Sequence, residues 1–278
     1  MRTVSGFALV VSLAVAVSCA DPVHDRAVDA LGGEKAGVRQ GPTHRPGQPC
    51  LTCHGGEGPG DLEMAFGGTL YAQQDSDAPG AGAVVRLLDS KNHTYDVTAN
   101  CVGNFWVPRG AFASVYPVTA VATVQGFSRV MTTEMHRDGS CADCHVNPAS
   151  AASPGHLWAA PADSDLPASD CKGDEDVKGV ASKLATCTMV TPSCAAPFPT
   201  YTKDVAPILE ANCVGCHQAK GQNPNPSLTS YRLVSALKTR VTMNTLVAQC
   251  RMPPPPLDPL SDGDRQTLAC WIAGGAKQ

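Results

Sequence analysis

Three Cys-x-x-Cys-His pentapeptides, at 50–54, 141–145 and 213–217, have the most distinctive chemistry in this chain. Two thiols one helical turn apart can form thioether bonds to the two vinyl groups of a haem, and the adjacent imidazole can then bind its iron. About 0.02 such motifs would arise by chance from the chain's own Cys and His frequencies, so coincidence does not account for three. The predicted attachment residues are Cys50, Cys53, Cys141, Cys144, Cys213 and Cys216, and the predicted proximal ligands are His54, His145 and His217.

The alternative chemistry is a four-thiolate zinc site made by the cysteines of the first two motifs. Zinc does not require a histidine after each cysteine pair, and the third motif would then have no partner pair. The chain therefore resembles a multihaem, triheme c-type cytochrome, and the resemblance implies three covalently attached haem c cofactors.

The sixth iron ligand decides between electron transfer and chemistry at the iron, because a second protein ligand closes the iron to substrates. From Tyr201 to its end the chain resembles a small class-I-like cytochrome c domain, and Arg251-Met252-Pro253-Pro254 matches the distal methionine motif of that family. The resemblance implies that Met252 binds the third iron. Met243 lies nearby and is interpreted as a packing residue.

The first two haems have several candidate distal ligands. His44 stands six residues before Cys50, and His136 stands five residues before Cys141. This similar offset suggests a shared role, although it does not tell whether each histidine binds its own haem or that of the neighbouring motif. Exposed loop histidines are the competing interpretation. The reserve candidates are His156, then His93, Met64, Met131 and Met135.

This ligation gives the first two haems two histidines each and the third haem one histidine and one methionine. Thioether ligation raises the reduction potential relative to two imidazoles. We therefore expect a potential gradient between the N-terminal pair and the C-terminal haem.

The N-terminus is typical of an export signal. Arg2 precedes an uncharged, mostly apolar run over 3–17 that is too short to span a bilayer. Residues 16–19, Ala-Val-Ser-Cys, resemble a bacterial lipobox in which Cys19 is lipidated, with ordinary signal peptidase cleavage as the alternative. We expect a signal peptide over 1–18, a flexible tether over 19–43, and a place in the periplasm or cell envelope as an outer-membrane lipoprotein.

Export to an oxidising compartment permits disulfides. Six cysteines remain once the haem motifs and Cys19 are set aside, which predicts three bridges. The preferred pair is Cys250 with Cys270, because it would connect the two flanks of the last domain. Three connectivities stay open for the others, which are Cys101, Cys171, Cys187 and Cys194.

A small β-sandwich is predicted over about 66–132, because short β-rich runs alternate there with turn clusters. The runs lie at 68–71, 83–88, 94–97, 104–107, 118–124 and 128–131. Gly67-Gly68-Thr69-Leu70-Tyr71, Gly82-Ala83-Val84-Val85 and Gly103-Asn104-Phe105 resemble the carboxypeptidase-regulatory, or transthyretin-like, sandwich. We expect a scaffold that brings two haem segments together, with partner docking as the alternative role.

The predicted fold class is α+β multidomain, in which two haem-binding segments flank the sandwich and a small all-α cytochrome c domain follows. The boundaries are 44–160 for the di-haem region, 161–199 for a cysteine-bearing linker and 200–278 for the mono-haem domain. One short helix is expected over 177–184 in the linker. In the last domain Thr202 is the expected N-cap of a helix that leads to Cys213, and Ser261 opens a second helix that Gly274-Gly275 ends.

Composition limits the function classes. The formal charge is −4 and the chain has no basic cluster, which argues against nucleic acid. Aromatic residues make up only 5% of the chain, so buried porphyrins would supply apolar bulk to the core. No nucleophile-elbow context appears, and no small-molecule substrate is predicted. Electron carriage between redox proteins is the leading hypothesis, with a peroxidase-like haem enzyme or a redox sensor that docks partners on the sandwich as alternatives.

Overall fold

The computed structural model describes residues 21–34, 36–38, 40–74, 76–161, 164, 171, 177–189 and 191–278. The predicted signal peptide and Cys19 lie outside these residues, as does part of the predicted linker. The described chain is mixed α+β, with two sheets and six α-helices. Among these helices we find no apolar segment long enough to cross a bilayer.

Nine strands are described, and all six predicted β-rich runs overlap with the first six of them. The strands are β1 Met64–Gln73, β2 Val84–Asp89, β3 His93–Thr98, β4 Asn104–Pro108, β5 Val118–Val124, β6 Phe127–Val130, β7 Gly139–Ser140, β8 Leu157–Ala160 and β9 Lys178–Lys183.

Two sheets enclose one apolar core. The first has the order β4-β1-β7, with β8 also paired to β1, and the second has the order β6-β5-β2-β3-β9. Alternate residues of both sheets point inward, as a strand's period of two requires. The core side chains include Phe66, Leu70, Phe105 and Val107 from the first sheet and Val85, Leu87, Val97 and Val118 from the second. This arrangement is the predicted two-sheet packing.

Strands β7 and β8 pair in succession with the same edge of β1, both in parallel. Gly67 of β1 faces Ser140, and Leu70 faces Leu157. The chain between these strands, which begins with a 3₁₀ turn at Cys141–Asp143, contains the second Cys-x-x-Cys-His motif. The first sheet therefore carries this motif directly on its edge.

The predicted helix over 177–184 is wrong. Lys178–Lys183 forms β9, which pairs antiparallel with β3 at the edge of the second sheet. A Cβ at Gly179 would clash with the ring of Tyr95, so the glycine permits the close approach. Backbone hydrogen bonding to β3 outweighed the weak helix propensity of this polar segment.

The helices are α1 Pro22–Ala30, α2 Cys50–His54, α3 Ala206–Asn212, α4 Tyr231–Val234, α5 Leu237–Ala248 and α6 Asp262–Ala273. Helix α1 lies within the predicted tether and is capped by the Asp21 carboxylate, which accepts from Val23 and His24 N–H. A π-helical turn, Tyr201–Val205, precedes α3 directly.

A second apolar core lies in the C-terminal part, where Leu209, Leu268 and Trp271 are almost fully buried. Thr202 is not the N-cap, because the helical turn already begins at Tyr201 and the backbone N–H of Thr200 donates to the Asp204 carboxylate at 2.8 Å.

The predicted start of α6 is confirmed. The hydroxyl of Ser261 accepts from the N–H of Asp264 at 3.1 Å, and the helix ends at Ala273. Gly275 then adopts a φ of +87°, a left-handed conformation that glycine tolerates best.

Three disulfides are present, as the cysteine count predicted, but the preferred pair Cys250–Cys270 is wrong. The bridges are Cys101–Cys171, Cys187–Cys250 and Cys194–Cys270, with Cα–Cα distances of 5.1, 5.9 and 5.2 Å. Each bridge joins the linker to one of the two cores. Cysteines at the two flanks of the last domain therefore bind the linker rather than each other.

Candidate functional site

The histidines of the three motifs share one hydrogen-bond pattern. In each, ring atom Nδ1 bonds a backbone carbonyl eight to ten residues downstream. The pairs are His54–Leu62 at 2.8 Å, His145–Gly155 at 3.1 Å and His217–Pro226 at 3.0 Å. A carbonyl can only accept, so Nδ1 must carry the proton and Nε2 of the neutral ring has a free lone pair. Metal-binding histidines almost always donate their other ring nitrogen in this way.

Backbone turns bring the cysteines and the histidine of each motif to one side. The first motif forms α2. In the second and third motifs the histidine N–H donates to the carbonyl of the first cysteine, at 2.9 Å in both His145–Cys141 and His217–Cys213. One turn of helix is the geometry that two thioethers and one proximal imidazole require.

Two consecutive glycines of β1 hold the first cysteines of the first two motifs. A Cβ at Gly67 would lie 3.1 Å from Cβ of Cys50, and a Cβ at Gly68 would lie 2.8 Å from Cβ of Cys141. Side chains of successive strand residues point to opposite faces, so these cysteines approach β1 from its two sides. Strand β1 therefore contacts both of the first two motifs.

Burial controls the ionisation of these thiols. It raises the pKa of Cys50 to about 11 and that of Cys141 to about 12. Burial also raises the pKa of Cys213 to about 12. These cysteines are therefore neutral thiols at pH 7, unlike activated cysteine nucleophiles, whose pKa values are lowered.

His44 lies beside the proximal histidine of the first motif. The ring centres of His44 and His54 are 5.9 Å apart, and Nδ1 of His44 bonds the Glu34 carboxylate at 3.0 Å. Two imidazoles on one metal ion hold their ring centres roughly 6 Å apart, because each metal–nitrogen bond is about 2 Å long. The structure thus brings together the predicted ligands of the first haem.

A buried polar network fixes the chain around His44. The side-chain amide of Asn104 donates to the carbonyls of His44 at 2.9 Å and Pro42 at 3.3 Å. Its oxygen accepts from the Thr69 hydroxyl at 2.7 Å, and that hydroxyl accepts from the N–H of Gly47, also at 2.7 Å. The roles of Asn104 and Thr69 were not predicted, since no local pattern connects Asn104 to His44, 60 residues upstream, or Thr69 to Gly47, 22 residues upstream.

The candidates for the second haem are placed differently. His136 is at the surface, with 72% of its side chain exposed and Nε2 3.9 Å from Glu134. His156 is only 6% exposed and stacks on Tyr71 at 4.1 Å. In the described part of the chain Nε2 of His156 has no hydrogen-bond partner.

The residue before His156, Gly155, accepts the Nδ1 proton of His145 at 3.1 Å. His156 thus follows directly on the residue that holds the predicted proximal histidine of the second motif, and its role as reserve ligand stays a prediction. Burial lowers the pKa of His145 itself, which keeps its imidazole neutral and able to bind metal.

The third motif opens onto a cavity of about 300 Å³ between the sandwich and the C-terminal helices. His217 and Met252 both line it, so the structure brings the two predicted ligands of the third haem to one site. Met243 lines it as well and is 9% exposed. Met131, just after β6, is a third methionine of the cavity, which the sequence considered only for the first two haems.

The third motif rests against the β5–β6 hairpin. The side-chain amide of Gln222 exchanges two hydrogen bonds with the backbone of Val130, both at 2.8 Å. Sγ of Cys216 lies 3.3 Å from the carbonyl oxygen of Ser128. A Cβ at Gly215 would lie 2.5 Å from the carbonyl oxygen of Gly126, so the motif needs glycine there.

Histidine, cysteine and carboxylate side chains do not gather in groups of three or more that could hold a metal ion, as far as the described residues show. The four-thiolate zinc site thus gains no support. Of the other reserve candidates, His93 bonds Asp89 at 3.1 Å on the surface of the sandwich. Met64 is buried at the start of β1, and the backbone of Met135 pairs with Val118 of β5.

Comparisons with protein-family models, with curated proteins and with solved structures gave no match for this chain.

Proposed function

We propose that this chain is an exported, membrane-tethered triheme c-type cytochrome that carries electrons between redox proteins in the cell envelope. One observation carries the proposal: each Cys-x-x-Cys-His motif holds its histidine by Nδ1 on a backbone carbonyl. A shared arrangement in three otherwise unrelated surroundings indicates a shared ligand. Haem c, when bound, supplies a reversible one-electron couple.

The chain's own residues hold and enclose the iron ligands. His54 with His44 serves the first haem, and His217 with Met252 serves the third. His145 is the proximal ligand of the second haem, for which His136 stays the predicted distal ligand. Cys50, Cys53, Cys141, Cys144, Cys213 and Cys216 are the attachment residues.

Export and tethering are part of the proposal. Three disulfides favour an oxidising compartment. Lipid on Cys19 would place the protein at the outer membrane, with 19–43 leading from the lipid to the first haem.

The first experiment is the mass and absorption of the mature protein, made in a host with a haem-attachment system. We expect the mass of the cleaved polypeptide plus three haems, and a Soret band. A matched set of Cys→Ala pairs, one pair per motif, should remove one haem each. A mature protein without bound haem would overturn the proposal.

A peroxidase-like haem enzyme is the second candidate, favoured by the second motif. His136 is largely exposed, and the ring of His156 stacks on Tyr71 of β1. Either fact would suit an iron with no distal protein ligand. Carbon monoxide added to the reduced protein distinguishes the two functions. Binding to one haem that is unaffected by His136→Ala supports the enzyme. Absence of binding until His44 or His136 is replaced supports the electron carrier.

A further inference from the structure

Arg129 of β6 is a half-buried cation beside the third motif. Its guanidinium carbon lies 3.2 Å from the ring centre of Trp158 in β8. Its Nε atom is buried and, among the described residues, has no hydrogen-bond partner. The neighbouring residue, Ser128, provides the carbonyl that contacts Sγ of Cys216. The guanidinium is thus held by an aromatic face rather than by a carboxylate.

The charge on Arg129 persists despite its burial. Burial lowers the pKa of Arg129 to about 10, and the thiol of Cys216 opposes this shift. Arginine therefore stays protonated at neutral pH. Attachment of haem would convert the Cys216 thiol to an uncharged thioether, which removes that opposing partner.

Charges of both signs lie beside the first two motifs, where the guanidinium of Arg109 donates to the Gly55 carbonyl at 2.7 Å. The carboxylate of Asp143 acts on the pKa values of both Cys50 and Cys141, and Asp138 acts on that of Cys141. Negative charge near an iron stabilises its oxidised form, and positive charge stabilises its reduced form, because reduction adds one electron. A cation beside the third motif therefore favours the reduced form of an iron bound there.

We propose that Arg129 raises the reduction potential of the third haem through its half-buried charge. The inference rests on the proposed function and deepens it, because it adds a source of the potential gradient besides the Met252 thioether. Trp158 holds the cation by a cation–π contact, which fixes the position of the charge relative to the third motif.

The test is a spectroelectrochemical titration of the haem-loaded protein and its variants. Arg129→Gln should lower the potential of the third haem by at least 59 mV, a tenfold change in its reduction equilibrium for one electron. Arg129→Lys should retain most of the wild-type potential because it keeps the charge. Arg232, exposed on α4, is the matched control, and Arg232→Gln should leave the third potential close to its wild-type value.

Haem content is counted first, so that the two proposals fail separately. Three attached haems with an unchanged third potential in Arg129→Gln would overturn the role of Arg129 alone. Equal losses in Arg129→Gln and Arg129→Lys would also overturn it, since packing rather than charge would then be responsible. Should Arg129→Gln not fold, Arg129→Met keeps an aliphatic stem on Trp158 and gives the same comparison.

Discussion

Asn104→Ala should release His44 from the first haem. The Asn104 side chain is buried and makes three hydrogen bonds, to the carbonyls of His44 and Pro42 and from the hydroxyl of Thr69. Each such bond contributes about 1 kcal/mol net, and the groups left buried without partners add to the cost, so the variant should lose roughly 2–4 kcal/mol. Pro42 keeps a bond from Asn100 at 2.7 Å, so His44 should move most.

Two measurements on the haem-loaded protein test this reasoning. Urea unfolding gives the loss of stability, and carbon monoxide binding to the reduced protein reports an iron that has lost its distal ligand. We expect a fraction of one haem to bind carbon monoxide in Asn104→Ala. In His44→Ala, which lacks the predicted ligand altogether, that haem should bind carbon monoxide fully. Asn244, exposed on α5, is the matched control, and Asn244→Ala should change stability by less than about 0.5 kcal/mol.

An Asn104→Ala protein with wild-type stability and no new reactivity would show that the buried network does not position His44. Loss of stability without new carbon monoxide binding would show that Asn104 stabilises the sandwich but does not position His44.

Other outcomes follow from the third site and the linker. Met252→Ala should abolish the sulfur-to-iron charge-transfer band of the oxidised protein, and a persistent band would point to another thioether of the cavity. Gly215→Ala should cost about 1–3 kcal/mol in denaturant titration, since its Cβ meets the backbone of the β5–β6 hairpin. Gly33→Ala, with open space around the new Cβ, should be close to neutral, and equal effects of the two would refute the close approach. Replacement of Cys194 and Cys270 by serine should cost about 2–5 kcal/mol, and an unchanged melting temperature would exclude that bridge.

Local signals in the sequence predicted much of the fold. The six β-rich runs were found because one side of each strand is buried and the residues alternate accordingly. The start of α6 was found because Ser261 satisfies an N–H that no helical carbonyl can reach. The motif histidines were found because covalent chemistry demands adjacent residues.

Relations between distant segments were not predictable. The pairing of Cys250 and Cys270 depends on where the linker runs, and no local pattern encodes that path. The edge strand β9 depends on a free edge of β3, which exists only in the folded sheet. Met131 was likewise not predicted as a residue of the third site, because it belongs to the sandwich and lines the cavity only once the C-terminal helices pack against it.

Strands β7 and β8 pair one after the other with β1, and the second motif lies in the chain between them. This motif could therefore be removed without loss of either strand. Only two residues of β1 lie between the partners of Ser140 and Leu157, whereas sixteen residues separate Ser140 from Leu157 along the chain. Replacement of these intervening residues by a short connection would leave β7 and β8 as one continuous strand. The architecture can therefore gain or lose the second Cys-x-x-Cys-His motif while its scaffold persists.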